Sequence, residues 1–562
     1  MPVDVRTRNF HCAQGDRHAC AGASRPSNSR PPGRQGDSVI DSTRAFAKLV
    51  AAFNQNDWPR ARQRALQLLA AAPGDAQLLF MAGVASMQLG RLDAALGHLL
   101  QASQLEPRRA DYAAQYARAL TLARRLREAR RVADRAMTLA PHDALTLDTL
   151  GAVYLQAGAP VQAATAYQRA VAQTPGHAPA HFNLATALRV LGDQAGAERA
   201  LENCIERDPT HWRAHLALAE LATQNTTHNH VPRLQALLAR HADDPAAQVI
   251  LNLALGKEYD DLADYRHAFE HWRRGKGAGY RLRPGSATRD EAMFDALIRA
   301  FPPGQAVPAD GDASREPIFL MGLPYTGTAL LDRMLGRHPE VSCAGELPNF
   351  PALLQQATGS AGNVLAEADP AAHTRQVDWR SLGTAYLAST RPATGGTARF
   401  TDRLAHHYLY APFLVRALPN AKLICLRREA LDTCLENFRH LLGQASPRYD
   451  FALDLYDTGR YCIQFDRLMA HWRQVLPGRI LEVDYASLLQ EPQATMRRVL
   501  DFCELPWHAD CAAPLPDTDW RAAGTDPLGS PRLAPVGHWQ HYAEPLRDLR
   551  HLLAQAGLAT VD

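Results

Sequence analysis

The sequence predicts two kinds of structure in one chain: an α-helical solenoid, followed by a three-layer α/β domain with a mainly parallel sheet. Three observations carry this. Prolines stand at Pro73, Pro107, Pro141, Pro175 and Pro209, each 34 residues after the last. A short apolar run, Pro317-Ile318-Phe319-Leu320-Met321, leads through a Gly/Thr turn into an apolar helix. Between the two, residues from about 278 to 315 carry Pro, Gly, Asp and Ser around one helical patch, Asp290 to Phe301.

Taken in order, residues 1 to about 37 are rich in Ser, Arg, Gly, Pro and Asp, with almost nothing apolar after Phe10. Such a segment buries too little surface to offset its ordering entropy and is expected to be disordered. The next section, 38–277, repeats. In the frame of the prolines, alanines recur at Ala61, Ala95, Ala129, Ala163 and Ala197. Small residues also fall at Ala102, Ala136, Ala170 and Cys204, and at Gly83, Ala117, Gly151, Ala185 and Ala219. Small side chains let two antiparallel helices approach closely, and proline stops the second helix. Gly90, Gly158 and Gly192 fall at the turn inside each pair. A 34-residue period of this kind is the tetratricopeptide pattern. Weaker repeats run through Leu251 to about Gly277, where a degenerate helix pair with a polar outer face would cap the solenoid. Residues 278–315 read as the connection to a second domain, 316–562. Domains with separate cores can fold alone, so that block is expected to fold without the repeats.

Composition narrows the function. Hydrophobic residues make up 46% and charged residues 21%, as in ordinary soluble proteins. Sixty-one basic and 58 acidic residues leave a net charge of +3, which points away from a general nucleic-acid binder. The nine cysteines are odd in number and lack zinc-site spacing, the usage of a reduced, cytoplasmic protein. The opening residues Met1 to Arg6 precede no apolar leader, and no stretch approaches the ~18 apolar residues of a membrane helix. Secretion and membrane insertion are therefore not expected. His406-His407 and His538-Trp539-Gln540-His541 lack an acidic partner at ligand spacing, so no metal is expected.

The second block carries the chemistry. A buried strand, a Gly/Thr turn and a helix N-terminus place backbone N–H groups around an anion. Here the turn is Gly322-Leu323-Pro324-Tyr325-Thr326-Gly327-Thr328-Ala329. Three further stretches follow. They are Leu335 to Val341 with Gly345-Glu346-Leu347, then Ala421 to Glu429 with Asp432-Thr433-Cys434, then Leu481 to Tyr485 with Phe502 to Trp507. Together these resemble the sulfotransferases that use 3'-phosphoadenosine-5'-phosphosulfate (PAPS), especially bacterial repeat-fused relatives of tyrosylprotein sulfotransferase. The resemblance implies a P-loop-like α/β domain from about Glu316 to His551. It also implies sulfuryl transfer to an acceptor hydroxyl, a peptide or protein tyrosine presented by the groove of the repeats. Residue by residue, Tyr325, Thr326, Gly327, Thr328 and Ala329 would line the 5'-phosphosulfate, and Arg428 would pair with the 3'-phosphate. Tyr485 would contact the cofactor. Glu346 matches the acid that takes the acceptor's proton.

The departures from the family fall on the same site. The family's loop has arginine where this chain has Tyr325, and a hydroxyl residue where it has Ala329. Glu436 replaces a serine eight residues after Arg428. The late cofactor-contacting Ser and Lys/Arg fall near Ala523 and His538, of which His538 can still donate a hydrogen bond. An acid facing a phosphate costs affinity. Tyr325→Arg with Glu436→Ser is therefore expected to tighten nucleotide binding. A second reading follows from Tyr325, Glu436 and Ala523. In it the domain has lost the donor, and the protein is a repeat-based binding scaffold or takes another ligand.

Overall fold

The computed structural model describes residues 35–283, 287–359, 364–442, 447–513 and 535–558, with side chains from Arg44 onward. Residues 1–34, and with them most of the segment expected to be disordered, lie outside the described residues; so does Ala523. The chain divides into two compact units, Met1–Gln173 and Thr174–Asp562.

The first unit is a run of helix pairs: Gln35–Asn54 with Trp58–Ala71, Ala76–Gln88 with Leu92–Leu105, Ala110–Leu122 with Leu126–Thr138, and Ala144–Gln156 with Pro160–Gln173. The prolines Pro73, Pro107 and Pro141 stand just beyond the second helix of a pair, as their missing N–H requires. Ala61, Ala95, Ala129 and Ala163 are fully buried. A Cβ on Gly151 would lie 2.6 Å from the Tyr167 ring, which is why that position stays small. Within each helix pair of this unit one left-handed residue joins the two helices, at 34-residue spacing: Asn56 (φ 56°), Gly90 (φ 72°), Arg124 (φ 59°) and Gly158 (φ 69°). Only Arg124 is neither glycine nor asparagine. The left-handed region costs a Cβ-bearing residue ~1–2 kcal/mol, against ~0.5–1 kcal/mol of extra chain entropy for glycine. Arg124→Gly is thus expected to stabilise the unit by about 0.5–1 kcal/mol, read as a higher urea midpoint. A lower midpoint would mean that the arginine side chain contributes more than the strain costs.

The second unit opens with more pairs, Ala178–Val190 with Gln194–Arg207 and Trp212–Leu221 with Val231–Arg240. It then adds a longer pair, Pro245–Asp261 with Tyr265–Leu282, and the helix Ala287–Ala300. A five-stranded sheet follows: β1 (Pro317–Met321), β2 (Val341–Cys343), β3 (Arg399–Asp402), β4 (Lys422–Arg427) and β5 (Ile480–Asp484). Its order is β2-β3-β1-β4-β5 and every pairing is parallel. All of β1 is buried, since helices cover both faces. Ile318 and Leu320 join Ile424, Leu426 and Val483 beneath Thr328–Leu335 and Pro492–Phe502. Phe319 and Met321 face the opposite layer, beside Leu423 and Cys425 and the helices His407–Ala417 and Leu455–Val475.

That second layer does not stop at the sheet. Its core is continuous with Trp212, Leu251, Leu255 and Trp272 of the helix pairs. The expected domain edge at 277 therefore falls inside the helix Tyr265–Leu282, which buries Ala268, Trp272, Gly275, Lys276 and Gly279 on one face and leaves Arg266, Arg273 and Arg274 exposed on the other. Phe269 packs on Phe438 with ring centroids 6.0 Å apart, and Trp272 on Tyr542 at 5.3 Å. Lys276, fully buried, donates to the carbonyls of His440 (2.7 Å), Ala452 (2.9 Å) and Asn437 (3.2 Å), and burial pushes its amine down to about 7. The last helix pair and the α/β block thus share one core.

Candidate active site

In a parallel sheet the strand carboxyl ends gather the loops that bind ligands. Here the ends of β1, β4 and β5 bring three of the expected stretches together. The turn after β1 is tight. Gly322, Tyr325 and Gly327 all have left-handed φ (152°, 63° and 101°), and Gly327 caps the helix Thr328–Leu335 without a side-chain hydrogen bond. Gly327 lies against Tyr485, the first residue past β5: a Cβ there would meet the Tyr485 ring at 2.5 Å. The Arg428 guanidinium lies over that ring, 4.9 Å from its centroid. Burial pushes the Tyr485 hydroxyl up to about 12, with Arg428 opposing. Thr326, Gly327, Arg428 and Tyr485 thus form one constellation, with Thr328 and Ala329 half-buried at the start of the helix.

Several details differ from the expectation. The Thr326 hydroxyl donates to the Leu323 carbonyl (2.7 Å) inside the turn. The Tyr325 ring stacks on His440 at 4.4 Å. Arg428 donates to the carbonyls of Tyr325 (3.2 Å) and Pro535 (2.8 Å) and pairs with Asp432 (3.5 Å). Its Nε is buried with no hydrogen-bond partner among the described residues. Glu436 does not face a phosphate position openly. Its carboxylate is 2% exposed and sits 3.5 Å from Arg439 and 3.2 Å from His440. Burial opposes its ionisation, but Arg439, His440 and Arg428 outweigh that and hold it well below the usual carboxylate range. His538 pairs its imidazole with Asp260 (3.1 Å), while its neighbours Gly537 and Trp539 donate N–H groups to Asp432 (2.7 and 3.1 Å). His406 and His407 are buried among rings. His406 lies 5.1 Å from Tyr449 and burial pushes it down to about 3, while His407 meets Phe319 edge-on.

Glu346 stands past the end of β2, with its side chain 43% exposed. Its segment is fastened to the residues after β3. The Arg403 N–H donates to Gly345 (2.8 Å), the Leu347 N–H to Asp402 (3.2 Å), and the Arg403 guanidinium to Glu346 (3.2 Å). Arg403 reaches on to Asp332 (3.2 Å) in the helix that follows the turn, and the Gly322 N–H donates to Ala405 (3.2 Å). The segment 402–405 therefore ties the candidate base to the candidate anion loop. Sequence reading gave Asp432 no role of its own, and missed Arg403 and Asn437, whose amide donates to Pro324 (2.9 Å). The residues before Arg403, Arg399-Phe400-Thr401-Asp402, are mostly polar, so no local pattern marks it as functional. A cavity of about 390 Å³ opens beside the constellation, lined by Thr326, Arg427, Arg428, Glu429, Thr433, Phe465 and Asp484 among others.

Comparison with known proteins finds two families along the chain. Residues 317–509 match the model of the sulfotransferase family, and residues 154–221 a tetratricopeptide repeat model. The chain carries tetratricopeptide repeats followed by a sulfotransferase domain. Among relatives, an uncharacterised Aquifex aeolicus protein is 28% identical over 364 residues, covering 62% of this chain and 46% of that protein. Protein-tyrosine sulfotransferase 1 of Danio rerio is 28% identical over 206 residues, covering 34% of this chain and 54% of that protein. The chain thus spans about half the length of these curated relatives. A solved sulfotransferase domain from the Synechococcus PCC 7002 olefin synthase covers 46% of this chain and 100% of that domain, at 18% identity and a TM-score of 0.31. No helix among the described residues is long and apolar enough to cross a membrane.

Proposed function

We propose that the protein transfers a sulfuryl group from PAPS to an acceptor hydroxyl, a tyrosine of a peptide or protein presented by the repeats. The observation that carries this is the meeting of the Gly322–Gly327 turn, Arg428 and Tyr485 at the carboxyl ends of β1, β4 and β5, within the stretch that matches the sulfotransferase family. The residues fit a nucleotide with two phosphate positions. At one end a glycine-capped helix N-terminus offers backbone N–H groups to an anion. At the other, Arg428 keeps a buried Nε with no hydrogen-bond partner among the described residues. When bound, PAPS supplies an electrophilic sulfur with a phosphate leaving group.

The chain's own part is binding, orientation and proton handling. The turn and the Thr328 hydroxyl would hold the 5' side, Arg428 the 3'-phosphate, and Tyr485 the face between them. Glu346 would take the proton of the acceptor hydroxyl, with Arg403 fixing its carboxylate. The tyrosine acceptor is supported by the names of the protein-tyrosine sulfotransferase relatives. The tetratricopeptide match of residues 154–221 gives further support, since stacked helical repeats generally bind extended peptides.

Incubation with sulfur-labelled PAPS and tyrosine peptides tests the reading, together with calorimetric titration of 3'-phosphoadenosine-5'-phosphate. Glu346→Gln is expected to bind that nucleotide as the parent does while turnover falls ~10²–10⁴-fold. Unchanged turnover would remove Glu346 from the mechanism. One observation favours the scaffold reading: Arg428 already has two carbonyls and Asp432 as partners. Failure of the parent protein to bind the nucleotide would select that reading.

A further inference from the structure

Between Pro535 and Tyr542 the chain is held from two sides by buried carboxylates. On one side, Asp432 accepts the N–H groups of Gly537 (2.7 Å) and Trp539 (3.1 Å), while the Pro535 carbonyl accepts from Arg428 (2.8 Å). On the other side stands Asp260, at the end of the helix Pro245–Asp261 and before the sheet begins. Its Oδ1 lies 3.1 Å from His538 Nε2 and also accepts the Tyr542 hydroxyl; its Oδ2 lies 3.2 Å from Arg439. His538 and Tyr542 are four residues apart in a tight helical turn that Gly537 opens with a left-handed φ of 77°. That spacing lets both side chains reach one carboxylate. Asp260 is 7% exposed, and although burial opposes ionisation, His538 and Arg439 keep it below the usual carboxylate range.

We infer that Asp260 is a positioning residue of the nucleotide site, contributed by the helix pair outside the α/β sheet, and that it acts by ordering Pro535–Tyr542 against Asp432 and Arg428. This rests on the nucleotide reading above. The physical reason is preorganisation. A segment anchored at both edges is ordered on folding, so ligand binding does not have to order it. With Asp260 in place, the two N–H bonds to Asp432 persist and Asp432 keeps the Arg428 side chain in its place against Tyr485. Without it, that edge of the segment is held only by ring packing, Tyr542 on Trp272 and His541 on Tyr265. The role also explains why this helix pair carries buried charge on a face that a terminal solenoid cap would show to water.

The test uses the full chain carrying Asp260→Asn, which keeps the size of the side chain and removes its charge. Tyr542→Phe is the milder second variant, removing a single hydroxyl from the same carboxylate. Amide hydrogen exchange at residues 537–542 is expected to accelerate about ten-fold or more in Asp260→Asn, the loss of one charge-assisted contact. Calorimetric affinity for 3'-phosphoadenosine-5'-phosphate should fall about as much. The KM for PAPS should rise while kcat stays within about two-fold, because Glu346 and Arg403 do not touch this segment. Tyr542→Phe should move exchange and affinity in the same direction by less. Unchanged exchange at 537–542 in both variants would overturn the proposal. So would faster exchange with unchanged nucleotide affinity, or a loss confined to kcat. Absence of nucleotide binding by the parent protein would instead overturn the donor assignment, and this role with it, while the exchange measurement still reports the anchor by itself.

Discussion

A chain that begins at residue 278 is expected to remain unfolded, whereas one that begins at Thr174 should melt cooperatively. The first cut falls inside the helix Tyr265–Leu282 and removes Phe269, Trp272 and Lys276, which lie within the core of the second unit. Phe438, Tyr542 and the face beneath them would then meet water. Each large apolar side chain uncovered costs ~1.5–3 kcal/mol, and the faces on both sides of the seam are exposed. That sum is a large fraction of the ~5–15 kcal/mol that holds a domain together. The second cut falls at the boundary between the two compact units. Circular dichroism melts and size exclusion of the two chains read the difference directly. A cooperative transition in the 278 chain would show that the helix pair is dispensable for folding. Loss of transfer activity in that chain would then report on the nucleotide site and not on collapse.

Glu436→Ser is expected to destabilise the protein by ~3–5 kcal/mol, the cost of breaking a buried ion pair from one side. From sequence this substitution looks like a repair, since it restores a hydroxyl the family carries. In the structure it removes the carboxylate that Arg439 and His440 share, and leaves Arg439 with Asp260 alone as its acidic partner among the described residues. The sign of the pH dependence follows from the depressed carboxyl of Glu436. Its stabilising contribution is fully present above the unfolded value of about 4.5. It fades as pH falls from there toward the folded value, because the unfolded chain takes up the proton first. Urea midpoints at neutral pH should therefore separate parent and variant widely, and the gap should narrow in acid. Equal midpoints at neutral pH would mean that the cluster is neutral in energy. Tightening of nucleotide binding by Tyr325→Arg is better tested with Glu436 in place, because the Tyr325 ring stacks on His440, which itself pairs with Glu436.

Much of the architecture is written in local pattern. The 34-residue spacing of prolines and small residues marks helix ends and close helix contacts, which are properties of neighbours in the chain. The apolar run 317–321 before a glycine turn marks a buried parallel strand for the same reason. Gly327, Arg428 and Tyr485 could be singled out because each sits one step past a strand or inside the turn, where family motifs are dense. That they meet around one ring is a fact of the sheet order, with β1 flanked by β4 and β4 by β5.

Other features depend on pairs far apart in sequence. Asp260 meets His538 and Tyr542 across nearly 280 residues, and Lys276 finds its carbonyls more than 160 residues away. No periodicity records such pairs. Glu436 reads as a misplaced acid until Arg439, His440 and Asp260 are seen around it. The sequence by itself determined the helix repeats, the strand–turn–helix and the residue types at the anion loop, because these follow from spacing and from backbone preference. Only the tertiary structure decided where the second core ends, which carboxylates are neutralised, and which segment closes over Arg428. Burial and charge pairing are set by what folds against a residue, and its neighbours in the chain do not determine that.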